Sequence, residues 1–325
     1  MFNYILRRLL YALPLLFGVN VLTFTLFFVV NSPNDMARMH LGQKHVTEQA
    51  IENWKQQRGY HLPLLINTQA DGLDSIKKTI FYQKSLRLFA FNFGVSDSGR
   101  NIGEDIQQRM WPSLAIALPS LILGLILNIS VALMMVLFRQ SYLEFSSILL
   151  CVIIMSISSL FYIIGGQFLV GKLLMLVPIS GYDTGLNAIK FLILPVVISV
   201  VAGVGSGARW YRSLFLEEIE QDYVRTARAK GLTETQVLFK HVLKNAMIPI
   251  LTGVVVILPL LFMGSLITES FFSIPGLGSY TIDAINSQDF AIVRAMVFLG
   301  SVLYIIGLLL TDISYTLVDP RVRLS

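Results

Sequence analysis

Six apolar runs recur along this chain: Leu9 to Val30, Pro112 to Phe138, Phe145 to Gly171, Phe191 to Ala208, Ala246 to Thr268 and Ala295 to Thr311. The first continues for 22 residues without a charge. At about 1.5 Å per residue it reaches roughly 33 Å, enough to cross the hydrocarbon core of a bilayer. Each run predicts a membrane helix. Between the first two, from Asn31 to Trp111, the pattern turns polar, with ten Lys or Arg against eight Asp or Glu. Inside that interval, Thr47 to Arg58 sets Ala50, Ile51 and Trp54 on one side and predicts an amphipathic helix. Asn67 to Lys84 has no usable period and reads as an insertion. The chain thus divides into 1–30, the N-terminus and first span; 31–111, an extracytoplasmic region; and 112–325, a core with five further spans.

The second polar interval, 209–245, differs in kind, because its charges are ordered. In EEIEQDYVRTARAKGLTETQVLFKHVLKNAMIP, which starts at Glu217, acidic Glu217, Glu218, Glu220 and Asp222 precede basic Arg225, Arg228 and Lys230. That order complements the dipole of one helix. Gly231 ends it, since glycine enters the left-handed conformation cheaply. Thr233-Glu234-Thr235-Gln236 then has the form of a capping box for a second helix. Thr226, Ala227, Ala229 and Gly231 are small and offer a surface that another protein could approach closely. A plain solvated loop would account for the charge, but not for the caps or the glycine.

Composition sharpens this picture. The chain is 54% hydrophobic and 14% charged, whereas about a quarter of residues are charged in soluble domains. An all-α polytopic membrane protein follows: six transmembrane helices, one larger extracytoplasmic loop region and a cytoplasmic helical hairpin. The net charge of +5 belongs to membrane ends, not to nucleic-acid binding. Placing Arg7, Arg8, Arg139, Arg209, Arg212, Arg321 and Arg323 inside leaves the short outer loops with Lys172, Lys190 and Arg294, so both termini are expected in the cytoplasm. A signal peptide is the rival for the first run, but Asn31 to Asp35 has no small-x-small cleavage pattern.

Several smaller motifs carry little. Cys151 is the one cysteine, lies in an apolar run and reads as packing. Gly166 to Lys172 has the spacing of a phosphate loop, yet Leu173 stands where serine or threonine would bind magnesium. His40 and His45 lack a third metal ligand. His241 falls in the coupling region, facing headgroups or a partner. Asp312, near the end of the last span, reads as solvated or helix-pairing, and no charge lies mid-span elsewhere, so proton coupling lacks the buried carboxylates it needs. Gly124, Gly165, Gly166, Gly203, Gly205 and Gly207 are expected to admit close helix contacts, and Pro119, Pro195 and Pro259 to kink helices.

DYVRTARAKGL followed by KHVLKNAMIP (Asp222 to Leu232 and Lys240 to Pro249) resembles the EAA loop of ABC-importer membrane subunits, and more narrowly the B-type permease of oligopeptide and dipeptide importers. Arg225 stands where the general pattern has glutamate and Lys244 where it has proline, as is common in the peptide branch. MFNYILRRLLYALPLLFGVNVLTF, IENWKQQRGYHLPL, FNFGVS, VPISGYDTG, ESFFSIPGLGSY and DPRVRL resemble the same family at corresponding places. The resemblance implies an inner-membrane permease subunit for peptides. It also implies a homologous second permease, two cytoplasmic ATPases and an extracytoplasmic solute-binding protein. On that resemblance Asp222, Tyr223, Arg225, Thr226, Ala227, Arg228, Ala229, Lys230, Gly231 and Leu232 form the ATPase-coupling helix, with Arg225, Arg228 and Lys230 contacting acidic or carbonyl groups of the ATPase. Binding-protein docking is expected to include Ser273 to Tyr280. No cofactor is expected on this chain, ATP and magnesium being held by the ATPases, and the substrate-lining residues stay unassigned. The rivals are an ion- or proton-coupled carrier and a membrane-anchored sensor.

Overall fold

The computed structural model describes residues 2–42 and 46–318. Helix α1 (Phe2–Phe24) takes the first apolar run and widens through Thr25–Val30 before extended Asn31 ends it. Ser32 and Asp35 cap each other across α2 (Pro33–Leu41), with proline at its first position. The Thr47 hydroxyl accepts from the Ala50 amide to start α3 (Glu48–Arg58), and left-handed Gly59 closes it. Ile51 and Trp54 are buried, as their spacing predicts. The aperiodic stretch after it is folded. It folds into α4 (Asp74–Lys77) and α5 (Ile80–Lys84), where Thr79 caps and Ile80 is buried. Elements of one turn are too short to show a period.

Helix α6 (Ile102–Leu137) begins ten residues before Pro112, inside the interval assigned to the outer region. The Asn101 side chain accepts the Gly103 amide at 2.9 Å, and Glu104 and Asp105 favour the helix start, so a polar first turn precedes the apolar run. The third run, expected as one helix, is two: α7 (Tyr142–Ser156) and α8 (Ser159–Gly166), bent by 86° and continued by wide turns to Leu173. Ile157 and Ser158 are extended there, and the Ser156 hydroxyl returns to the Val152 carbonyl at 2.7 Å. Gly166 to Lys172 is therefore helical, with no strand before it. Among the described residues, five helices are long and apolar enough to cross a membrane, or six if the bent pair is one span.

The remaining helices are α9 (Ala188–Ile219), α10 (Asp222–Ala229), α11 (Glu234–Val237), α12 (Leu243–Ile257), α13 (Leu266–Phe272), α14 (Leu277–Asn286) and α15 (Phe290–Val318). After α12 the helix tightens over Leu258–Met263, with Pro259 at its start. Helix α15 begins five residues before the apolar run, which moves Arg294 from the expected outer loop into the helix, 4% exposed.

The described chain packs as two compact units. The first, residues up to 109 with 280–309, is built on Phe24, Phe28, Met36, Ile51, Trp54, Tyr60 and Ile80. Arg58 lies over the Trp54 ring at 4.4 Å and pairs with Asp97 at 2.8 Å. The second is built on residues 110–279 with, among the described residues, 310–318. There α7 and α9 pack closely, because a Cβ on Gly205 would stand 2.4 Å from the Cys151 carbonyl oxygen. Gly166 and Gly207 also sit against neighbours, but Gly165 and Gly203 face open space and Gly124 barely touches Asn128, so half of the expected contacts form. Glu144, just before the third apolar run, is 8% exposed and takes the Arg212 guanidinium and the Gln140 amide. His45, Arg321 and Arg323 lie outside the described residues.

Candidate functional site

The ordered charges of the second polar interval do not belong to one helix. Glu217 and Glu218 end α9, the chain breaks at Glu220 and Gln221, and only Asp222 remains in the first turn of α10. With Asp222 leading and Arg228 in the last turn, the dipole argument survives for a helix of eight residues. The displaced acid still matters: the Tyr223 hydroxyl donates to Glu218, tying α10 back to α9. Burial, reinforced by that carboxylate, pushes the Tyr223 phenol up to about 12.

Gly231 makes the turn at φ +80°. Its amide donates to the Arg228 carbonyl at 2.9 Å and the Leu232 amide to the Ala227 carbonyl at 3.4 Å, a Schellman closure that sends Leu232 inward against the core. Thr233 and Gln236 then cap α11 reciprocally, at 3.4 Å and 3.1 Å. Thr233→Ala is expected to lower stability by about 1 kcal/mol, as read by thermal unfolding, with expression intact.

One face of α10 is committed to its own protein. Val224 is fully buried and Ala227 is 4% exposed, packed with Val237, Leu238, Val242 and Phe215. Ala227 is thus no part of a surface for a partner, which corrects the expectation for it; at this spacing a small residue admits the chain's own neighbouring helix. The outward face carries Asp222, Arg225, Thr226, Ala229, Lys230 and Gly231. Thr226 turns its hydroxyl to the Asp222 carbonyl at 3.0 Å. Arg225 meets Asp222 at 3.3 Å in an exposed pair of small energetic weight. Arg228 forks onto Glu234 of α11 at 2.8 Å and 3.0 Å, so its charge is already answered within the chain. Arg225 and Lys230 are the cations left facing outward on this helix. His241 is half-buried in the wide turn before α12.

Ser273 to Tyr280 also differs from expectation. Ile274, Leu277, Ser279 and Tyr280 are buried, as are Gly276 and Gly278, leaving Ser273 and Pro275 at the surface. Glu269, 1% exposed, holds part of this segment: its carboxylate receives the Ser265 amide at 3.2 Å and the Ser279 amide at 3.0 Å. Buried carboxylates therefore exist where none was expected, at Glu144 and Glu269, and both are fully engaged. A glutamate closing an apolar run and followed by Pro275-Gly276-Leu277-Gly278 was the signal for this hub.

Residues 131–324 match the family described as binding-protein-dependent transport system inner membrane component, and residues 1–87 match the N-terminal family of such membrane components. Similar relatives include the glutathione transport system permease protein GsiC of Salmonella paratyphi A, 31% identical over 328 residues, and that of Escherichia coli (strain K12), 30% identical over 332 residues. In both, the match covers 99% of each chain.

Proposed function

This chain belongs to the family of binding-protein-dependent transport system inner membrane components, and from that membership we propose how it works as the membrane-spanning permease subunit of a peptide-type ABC importer. As a multi-pass membrane protein of that family, it operates with a partner permease, ATPase and a solute-binding protein. We assign it one of two homologous permeases above two ATPases, with both termini cytoplasmic. Its substrates are peptides, the glutathione tripeptide named for its relatives lying within that class. Energy comes from ATP and magnesium held on the ATPases, no nucleotide site being assigned to this chain.

The observation that carries the reading is the two-faced α10. Val224 and Ala227 lock it to α11 and α12, so a push on its outer face is delivered to a membrane helix instead of being lost in a loop. ATP closing the ATPase dimer would displace α10, and the spans would rock about their packed contacts to open the path outward; hydrolysis would reset them. Docking falls to Asp222, Arg225, Thr226, Ala229, Lys230 and Gly231, while Tyr223, Arg228 and Leu232 brace the hairpin.

Gly231→Asp tests this. A Cβ there meets nothing within 4 Å, so the change strains the backbone by about 1 kcal/mol and adds a charge to the docking face without disturbing the core. Membrane insertion is expected to survive, while co-purified ATPase and vanadate-sensitive turnover fall at least about tenfold. Transport by the chain in liposomes without any ATPase would overturn the assignment in favour of an ion-coupled carrier.

A further inference from the structure

Within the first unit, Gln83 to Val95 and the start of α15 enclose a cavity of about 210 Å³. Lys84, Arg87 and Arg294 line it, and no carboxylate does. Arg294 is the buried member. Its Nε donates to the Phe290 carbonyl at 3.1 Å and its Nη1 to the Lys84 carbonyl at 3.3 Å, with the guanidinium 4.7 Å from the Phe28 ring centre. None of these is an anion. The neighbouring carboxylates are otherwise engaged: Asp97 with Arg58 at 2.8 Å, and Asp289 with the Asp97 and Ile292 amides at 2.6 Å and 3.3 Å. Asp97 and Asp289 answer part of this charge through space, but the cavity itself is faced by three cations and lined by no carboxylate, so its chemistry suits an oxyanion.

The surroundings of the cavity name the kind of oxyanion. Asn20 donates to the Ser85 carbonyl at 3.1 Å, Phe17 stacks edge-on with Phe81, and Phe89 meets Phe298. Asn20 and Phe17 belong to the first membrane-length helix and Phe298 to the last. The segment therefore runs beside membrane-length helices, with exposed Val95 lining the cavity alongside the cations. We infer that Lys84, Arg87 and Arg294 form a site for the phosphate of an anionic phospholipid headgroup. Lys84 supports this from its own side: burial, with Arg294, Arg87 and Arg58 outweighing Asp97, holds its ammonium down at about 8 beneath the Tyr60 ring, a strain that a bound phosphate relieves.

Free phosphate shares this chemistry, so the test carries both sources. Full-length protein in detergent is titrated with dioleoyl phosphatidylglycerol or dioleoyl phosphatidylcholine and read by native mass spectrometry, with inorganic phosphate as competitor. Wild type is expected to retain one phosphatidylglycerol about tenfold more tightly than phosphatidylcholine, and Lys84→Gln/Arg87→Gln to lose that preference while Lys84→Arg keeps it. Arg294, which braces the fold, stays in place; if the double variant melts early, Arg87→Gln alone serves, its side chain being exposed. Equal retention by wild type and variant would overturn the site. Displacement of the lipid by an equimolar amount of inorganic phosphate would overturn the lipid assignment.

Discussion

Replacing Glu269 with alanine is expected to destabilise the second unit by about 3–5 kcal/mol, the range for removing one member of a buried, charged hydrogen-bond network. The carboxylate accepts the Ser265, Gly278 and Ser279 amides and the Ser113 hydroxyl, and Ser113 in turn receives the Leu277 amide at 2.8 Å. Burial raises the Glu269 carboxyl above the ordinary range while these donors pull it back. Alanine would strand them all. Glutamine keeps the shape but turns an NH₂ group toward amide N–H, so it should rank between wild type and alanine. Gly276→Ala approaches the same carboxylate from the other side, because its Cβ would stand 2.2 Å from Oε2 and 2.5 Å from the Ser113 oxygen. Thermal unfolding of the purified full chain decides the matter: a Glu269→Ala protein that melts with wild type would mean that the network adds nothing.

Ala227→Glu and Ala229→Glu should separate the two faces of α10. The first buries an uncompensated carboxylate among Val224, Val237 and Leu238, at a cost of several kcal/mol. Its melting temperature and its ATPase recovery are expected to fall together. The second places the same charge on an exposed position two residues away, where stability should change by about 0.5 kcal/mol or less. Only ATPase recovery should drop there. Equal melting temperatures for the two variants would mean that α10 is not locked to the membrane helices and cannot serve as a lever.

Much of this was legible in the chain alone, because it depends on neighbours in sequence. Runs of twenty apolar residues need no partner to announce a membrane helix. The Thr233 capping box, the Gly231 turn and the amphipathic helix after Thr47 rest on contacts three or four residues apart, and each was found where expected. The family likeness lay in the same local strings. What only the tertiary structure decided involves residues far apart. Glu144 with Arg212 is separated by 68 positions, and Ser113 with Leu277 by 164. Such pairs leave no period, so nothing in the sequence marks Glu144 as buried, and Ser273 to Tyr280 reads there as a docking segment. The same reason explains Ala227: smallness is visible in sequence, but which neighbour fills the space beside a small residue depends on how the helices pack. The bend between α7 and α8 is the limiting case, since hydropathy measures only whether residues are apolar and says nothing about the direction of the backbone that carries them.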